Sequence, residues 1–121
     1  MIVIGSNSDV AIAFVEKVLK EGKRFSMVYL FTSNIEKTKK LALHFYAKYE
    51  QKCEIIHFDL TKENDYSLIS HIDSELLFCA AGYLGKNSEE GLYDDWNTIQ
   101  IVEVNYSKLI VLINHFAKKF E

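Results

Sequence analysis

The sequence predicts an α/β fold: a parallel sheet of four strands in the order 3-2-1-4, with helices on both faces to give three αβα layers. Two observations carry that prediction. Apolar runs of strand length alternate with longer stretches of helical periodicity, the pattern of successive βαβ units. The first run, Ile2-Val3-Ile4, passes directly into Gly5 and then into a helical pattern, as the opening unit of a doubly wound sheet does. With right-handed crossovers and the usual order, four strands each followed by helix make half of such a sheet.

Each element has its own signal. After the Gly5-Ser6-Asn7-Ser8-Asp9 turn, Val10, Phe14, Val15, Val18 and Leu19 recur at helical spacing, and Gly22 stands where a helix stop is expected. Phe25 to Phe31 reads as the second strand, bounded by the turn-like Thr32-Ser33-Asn34. A long helix from Ile35 to Tyr49 carries four lysines on its polar side. Cys53 to Phe58 is the third strand, closed by Asp59, and Tyr66 to Ile72 a short helix. Leu76 to Ala80 is the fourth strand and runs into Gly82, and Tyr93 to Phe120 is helical for most of its length.

Composition narrows the function classes. The chain has 121 residues, 49% of them hydrophobic and 26% charged, with a net charge of −3, which describes one soluble globular domain over 1–121. At this size about two thirds of the extended-chain surface is buried, enough for a core without staples. Aromatics at 13% argue against disorder, and no basic excess suggests a nucleic-acid partner. The longest apolar run, Leu76 to Ala81, is too short to span a membrane, and no signal peptide is visible, so a cytoplasmic protein is expected.

The first βα turn holds the informative chemistry. A strand, then Gly5-x-x-x-Asp9-x-Ala11, then a helix is the arrangement that sets a pyrophosphate on a helix N-terminus. Gly5 permits the tight turn, Ala11 lets the helix lie close to the sheet, and Ser6, Asn7 and Ser8 offer donors. The same residues also suit an ordinary capped turn with Ser8 or Asp9 as the cap.

Further positions match in order and spacing, and together they resemble the short-chain dehydrogenase/reductase family. Ile4-Gly5-Ser6-Asn7-Ser8-Asp9-Val10-Ala11 is similar to that family's Thr-Gly-x-x-x-Gly-Ile-Gly. Asp59-Leu60 resembles its adenine-contacting pair, Cys79-Ala80-Ala81-Gly82 its Asn-Asn-Ala-Gly, and Val104-Asn105-Tyr106 the segment with its helix-kinking Asn. The resemblance implies a Rossmann-like domain and a cofactor site made of Gly5, Ser6, Asn7, Ser8, Asp9, Val10, Thr32, Ser33, Asp59, Leu60, Cys79, Ala80, Ala81 and Gly82. Asp9 and Ala11 replace two of the turn glycines and Cys79 the first Asn. This Gly-x-x-Ser-Asp-Val-Ala variant resembles an atypical subgroup that includes reductases of lipid-linked or nucleotide-linked sugars.

Family members run to roughly twice this length, and the resemblance places their catalytic Tyr-x-x-x-Lys and Ser beyond Glu121. None of the seven tyrosines here has Lys four residues later, and Tyr106 is followed by Lys108. Only Asn105 of the catalytic set is present, so the expectation is the NAD(P)-binding portion of an oxidoreductase, incomplete on its C-terminal side and inactive alone. A non-catalytic nucleotide-binding module, or an interaction domain that kept only the fold, are the alternatives. Thr32, Ser33 and Asn34 are neutral and Lys37, Lys39 and Lys40 follow, so NADP is slightly favoured over NAD. Those lysines also suit a simple solvated helix face.

The other polar residues read plainly. His44, His57, His71 and His115 have no ligand spacing, so no metal is expected, and His57 is expected to be structural. Cys53 and Cys79 fall on opposite sheet edges, about 14 Å apart over three strand gaps, too far for a disulfide. Phe45, Tyr46 and Tyr49 are expected to pack. Strand 4 would be an apolar sheet edge, which with the helix around Asn105 implies a homo-oligomer.

Overall fold

The computed structural model describes residues 1–59, 62, 66–69, 71–80, 96, 99 and 109–117. They fall into two compact units, Met1–Phe58 with Ser74–Ala80, and Asp59–Asp73 with Ala81–Glu121. The first unit holds β1 (Ile2–Ile4), α1 (Asp9–Lys20), β2 (Val28–Thr32), α2 (Ile35–Tyr49), β3 (Cys53–His57) and β4 (Leu77–Cys79). All pairings are parallel and the order is β3-β2-β1-β4, a Rossmann-like sheet as predicted. Register sets Val3 between Leu30 and Phe78, at the middle of the sheet.

Burial explains the strand sequences. Ile2, Val3 and Ile4 are buried, as a central parallel strand covered on both faces requires. α1 presents Ala11, Val15 and Leu19 to the core, one residue in four along a single stripe. Truncating Leu19 to alanine would cost about 3 kcal/mol by the usual scale for buried leucines. Phe14 stacks on Phe78 of β4 with ring centroids 4.2 Å apart, and Phe31 meets Phe58 edge-on at 5.9 Å. Val10 departs from the predicted stripe: at 67% exposure it stands on the open side of the first turn.

Helix ends follow local rules. Ser8 caps α1 by accepting from the Ala11 N–H at 3.2 Å, and Asn34 caps α2 by accepting from Lys37 N–H at 3.1 Å. α1 stops in a Schellman turn, with Gly22 N–H on the Leu19 carbonyl and Lys23 N–H on that of Val18. Gly22 has φ +95, so glycine serves there for its backbone freedom alone. α2 ends with Glu50 in the left-handed region at φ 54.

β2 starts at Val28, three residues after the predicted Phe25, and includes Thr32, which the sequence placed in the turn. The buried Gln51 side chain explains the late start. Its amide accepts from Phe25 N–H at 2.9 Å and donates to the Phe25 and Lys52 carbonyls at 2.9 and 2.8 Å. Phe25 is therefore paired by a side chain instead of a ladder.

Cys53 and Cys79 are free thiols on opposite edge strands, as expected. Burial pushes the Cys53 thiol up to about 11, which keeps it protonated and inert near neutrality. Phe45 and Tyr49 are packed, whereas Tyr46 is 57% exposed, against expectation. His57 is exposed between the buried Ile56 and Phe58.

The second unit contains a 3₁₀ turn at Tyr66–Ile69, where a short helix to Ile72 was expected, and α3 (Leu109–Ala117). Ile72, Leu112 and Phe116 are buried in it, the last two one helical turn apart, and Tyr66 stacks on His115 at 4.4 Å. Trp96 and Ile99 are helical, and the rest of the predicted Tyr93–Phe120 helix outside α3 lies beyond the described residues. No described helix is long and apolar enough to cross a membrane.

Candidate functional site

The strand order creates the site before any side chain is considered. β1 has β2 on one side and β4 on the other, so the strand order reverses at β1. A crevice opens at such a switch point, outside the carboxyl ends of the strands. The turn from β1 to α1, residues 5–8, lies there, with Cys79 and Ala80 at the end of β4.

Gly5 turns the chain at φ 77, a region L side chains rarely enter. Ser6 is buried and anchors the turn to β2: its N–H and its hydroxyl both donate to the Phe31 carbonyl, at 3.3 and 3.2 Å. Ser8 N–H closes on the Gly5 carbonyl at 3.0 Å, and the Ser8 hydroxyl serves as the cap. One cap satisfies one of the orphan donors at a helix start, so the N–H groups of Asp9 and Val10 have no acceptor within α1. They form a positive concavity that can receive an anion. Asp9 is exposed in that same first turn, and its carboxylate opposes any anion there.

Asn7 joins this turn to the start of α2. Its Nδ2 donates to Thr32 Oγ1 at 2.8 Å and to the Asn34 carbonyl at 3.4 Å, while its Oδ1 accepts from Thr38 Oγ1 at 2.9 Å. Thr32 is buried and its hydroxyl is fully used: it donates to the Asn34 carbonyl at 3.1 Å and accepts from Asn34 N–H at 2.9 Å. Ser33 and Asn34 are the exposed residues at the end of β2. Lys39 is paired with Glu36 at 3.1 Å, and among the described residues Lys37 and Lys40 have no ion-pair partner.

The structure thus brings Gly5, Ser6, Asn7, Ser8, Asp9, Val10, Thr32, Ser33, Cys79 and Ala80 into one unit, at the carboxyl end of its sheet. Ala80 is held by its N–H on the Ile4 carbonyl at 2.9 Å. Asp59 belongs to the second unit, where its carbonyl accepts from Lys62 N–H at 3.1 Å. Leu60, Ala81, Gly82 and Asn105 lie outside the described residues. Sequence reasoning missed Thr38, a fully buried polar residue within a lysine-rich stretch. Its periodicity with the buried Phe45 and Tyr49 is the signal that could have found it. No group of His, Cys, Asp and Glu among the described residues could hold a metal ion.

Comparison with known proteins places this architecture. A short-chain dehydrogenase from Sphingobium yanoikuyae, solved with NADPH, superposes with a TM-score of 0.77 at 17% identity, covering 98% of this chain and 47% of its own. The bulky-bulky ketone specific alcohol dehydrogenase from Comamonas testosteroni follows at 0.76 and 16% identity, over 98% of this chain and 49% of that one. A short-chain dehydrogenase from Salmonella enterica serovar Typhi gives 0.73 at 18% identity, over 95% and 50%. This is the fold of the short-chain dehydrogenases. The chain spans about half the length of each of these structures. No family model matches it, and no curated protein does.

Proposed function

We propose that the chain is the coenzyme-binding portion of a short-chain dehydrogenase/reductase-type oxidoreductase, taking NADP or NAD. The observation that carries this reading is the placement of the Gly5 turn and the open N-terminus of α1 at the switch point beside β4. The donor set fits a pyrophosphate through the N–H groups of Asp9 and Val10, with Gly5 leaving room for close approach. Ser33 and Asn34 would meet the adenosine ribose, since the Thr32 hydroxyl is engaged elsewhere. Lys37 nearby and the lack of an acidic residue from Thr32 to Asn34 favour NADP.

When bound, the coenzyme would exchange a hydride at its nicotinamide ring, the reduced form giving one to a carbonyl substrate such as a sugar and the oxidised form taking one from an alcohol. The residues described here bind and orient; the chain holds no Tyr-x-x-x-Lys to move the accompanying proton. The alternative is a nucleotide-binding module without chemistry of its own. Calorimetric titration with NADPH and with NADH tests the first. Saturable binding, tighter for NADPH, is expected, and no heat from either at about 1 mM, an affinity of only about −4 kcal/mol, would sink the reading.

A further inference from the structure

We propose that Thr38 is a positioning residue of this coenzyme site, acting through Asn7 to lock the phosphate-binding turn to the start of α2. The proposal rests on the coenzyme-binding reading and deepens it. Thr38 is fully buried on a helix face whose other buried side chains are Phe45 and Tyr49, a place where valine would fill the same volume. What the hydroxyl adds is a shared proton. It lies 2.9 Å from the Asn34 carbonyl, one turn back on its own helix, and 2.9 Å from Asn7 Oδ1, 31 residues away in the β1–α1 turn. Asn7 then spends both of its amide hydrogens on Thr32 Oγ1 and the Asn34 carbonyl.

The Asn34 carbonyl fixes which way the Asn7 amide faces, because a flipped amide would set oxygen against oxygen there. One side chain thereby bridges two loops that a coenzyme would touch at different points, its pyrophosphate at the β1–α1 turn and its ribose after β2. Shifting either loop breaks the Asn7 bonds together. Thr38 is fully buried, so an unmade bond at its hydroxyl carries the desolvation of that group. A further consequence is that Thr32 serves the lock, so the ribose is read by Ser33 and Asn34.

The test compares wild type with Thr38→Val, Thr38→Ser and Asn7→Ala, each alone, and with the double variant Asn7→Ala/Thr38→Val. Two readouts are taken: NADPH and NADH affinity, and amide exchange of residues 6–10 without ligand. Thr38→Val should weaken NADPH binding about five-fold, the value of one lost hydrogen bond, and speed exchange of the turn amides by a similar factor. Thr38→Ser should restore both, and Thr38→Val should add nothing once Asn7 is alanine. Binding by Thr38→Val equal to wild type, with unchanged exchange in the turn, overturns the proposal. If Thr38→Val does not fold, Asn7→Ala reads the same link with the α2 core untouched. Should wild type bind neither coenzyme, the coenzyme reading fails by itself. The exchange of residues 6–10 in Thr38→Val then decides whether the lock exists.

Discussion

The two ends of the α1–α2 layer are tied by different chemistry. At the carboxyl ends of the helices the tie is charged. Arg24, the chain's one arginine, donates from Nη1 to the Leu19 carbonyl at 2.7 Å and from Nε to the Tyr49 carbonyl at 2.8 Å, so one guanidinium caps both helices. Between the helices, Glu16 accepts from Tyr49 at 2.5 Å and is paired with His44 and, more loosely, Lys48. At the amino ends the tie is neutral: Ser8 and Asn34 as caps, and Asn7, Thr32 and Thr38 as the bridge. A cation at the C-termini bonds one carbonyl of each helix and complements the negative end of both dipoles. Neutral caps, with the exposed Asp9 carboxylate as the one charge in the first turn of α1, leave the Asp9 and Val10 N–H groups without an acceptor in the helix, and that end remains open to an anion.

Variants at the closed end should change stability and leave binding alone, and those at the open end should act mainly on binding. The largest effect is expected from Gln51→Ala, which removes the partners of both Phe25 backbone groups and should cost about 3 kcal/mol. A urea midpoint that does not move would mean that Phe25 re-pairs with the backbone. Next, Arg24→Ala uncaps two helices and should cost about 1.5 kcal/mol, lowering Tm by roughly 5–10 °C with coenzyme affinity unchanged. Loss of NADPH binding without loss of Tm would break the comparison.

At the open end, Asp9→Asn should tighten NADPH binding by about three-fold at low salt, by removing a like charge beside the phosphates. The same change should cost a few tenths of a kcal/mol, roughly, because Asp9 favours the helix dipole. Tighter binding with lower stability is the signature; weaker binding would mean that Asp9 itself contacts the ligand.

The smallest effect concerns pH. The hydrogen bond from Tyr49, aided by His44 and the Lys48 charge, holds the Glu16 carboxyl below its usual range despite desolvation, while the same bond raises the Tyr49 hydroxyl. A depressed carboxyl contributes stability that is present above the ordinary carboxylate range and is lost as pH falls through the folded value. Denaturation curves of wild type and Glu16→Gln should therefore differ at pH 7 and converge in acid. Curves that stay parallel would remove Glu16 from the tie.

Much of this architecture was legible in the residues. α2 was expected over Ile35–Tyr49 and is found there, because its apolar spacing and the preceding Asn are local signals. The Gly5 turn and the Ser8 cap were legible for the same reason: a positive φ and a capped N–H involve neighbours only. Strand order followed from alternation of elements and crossover handedness. Val10 was misread because periodicity ranks residues by spacing and cannot tell an exposed first turn of a helix from its middle. The engagement of the Thr32 hydroxyl was not legible, because nothing in Thr-Ser-Asn tells that Asn7, 25 residues earlier, donates to it.

By itself the sequence determined the local quantities: which segments are strand or helix, where they are capped, and the parallel order in which they assemble. Those rest on backbone dihedrals, side-chain period and caps within a turn of each other. Only the tertiary structure decided how polar groups are spent. It assigned Gln51 to Phe25, Arg24 to two helix ends and Thr38 to Asn7, pairs between 5 and 31 residues apart. A hydrogen bond needs its partners within about 3 Å, and folding alone brings such positions that close.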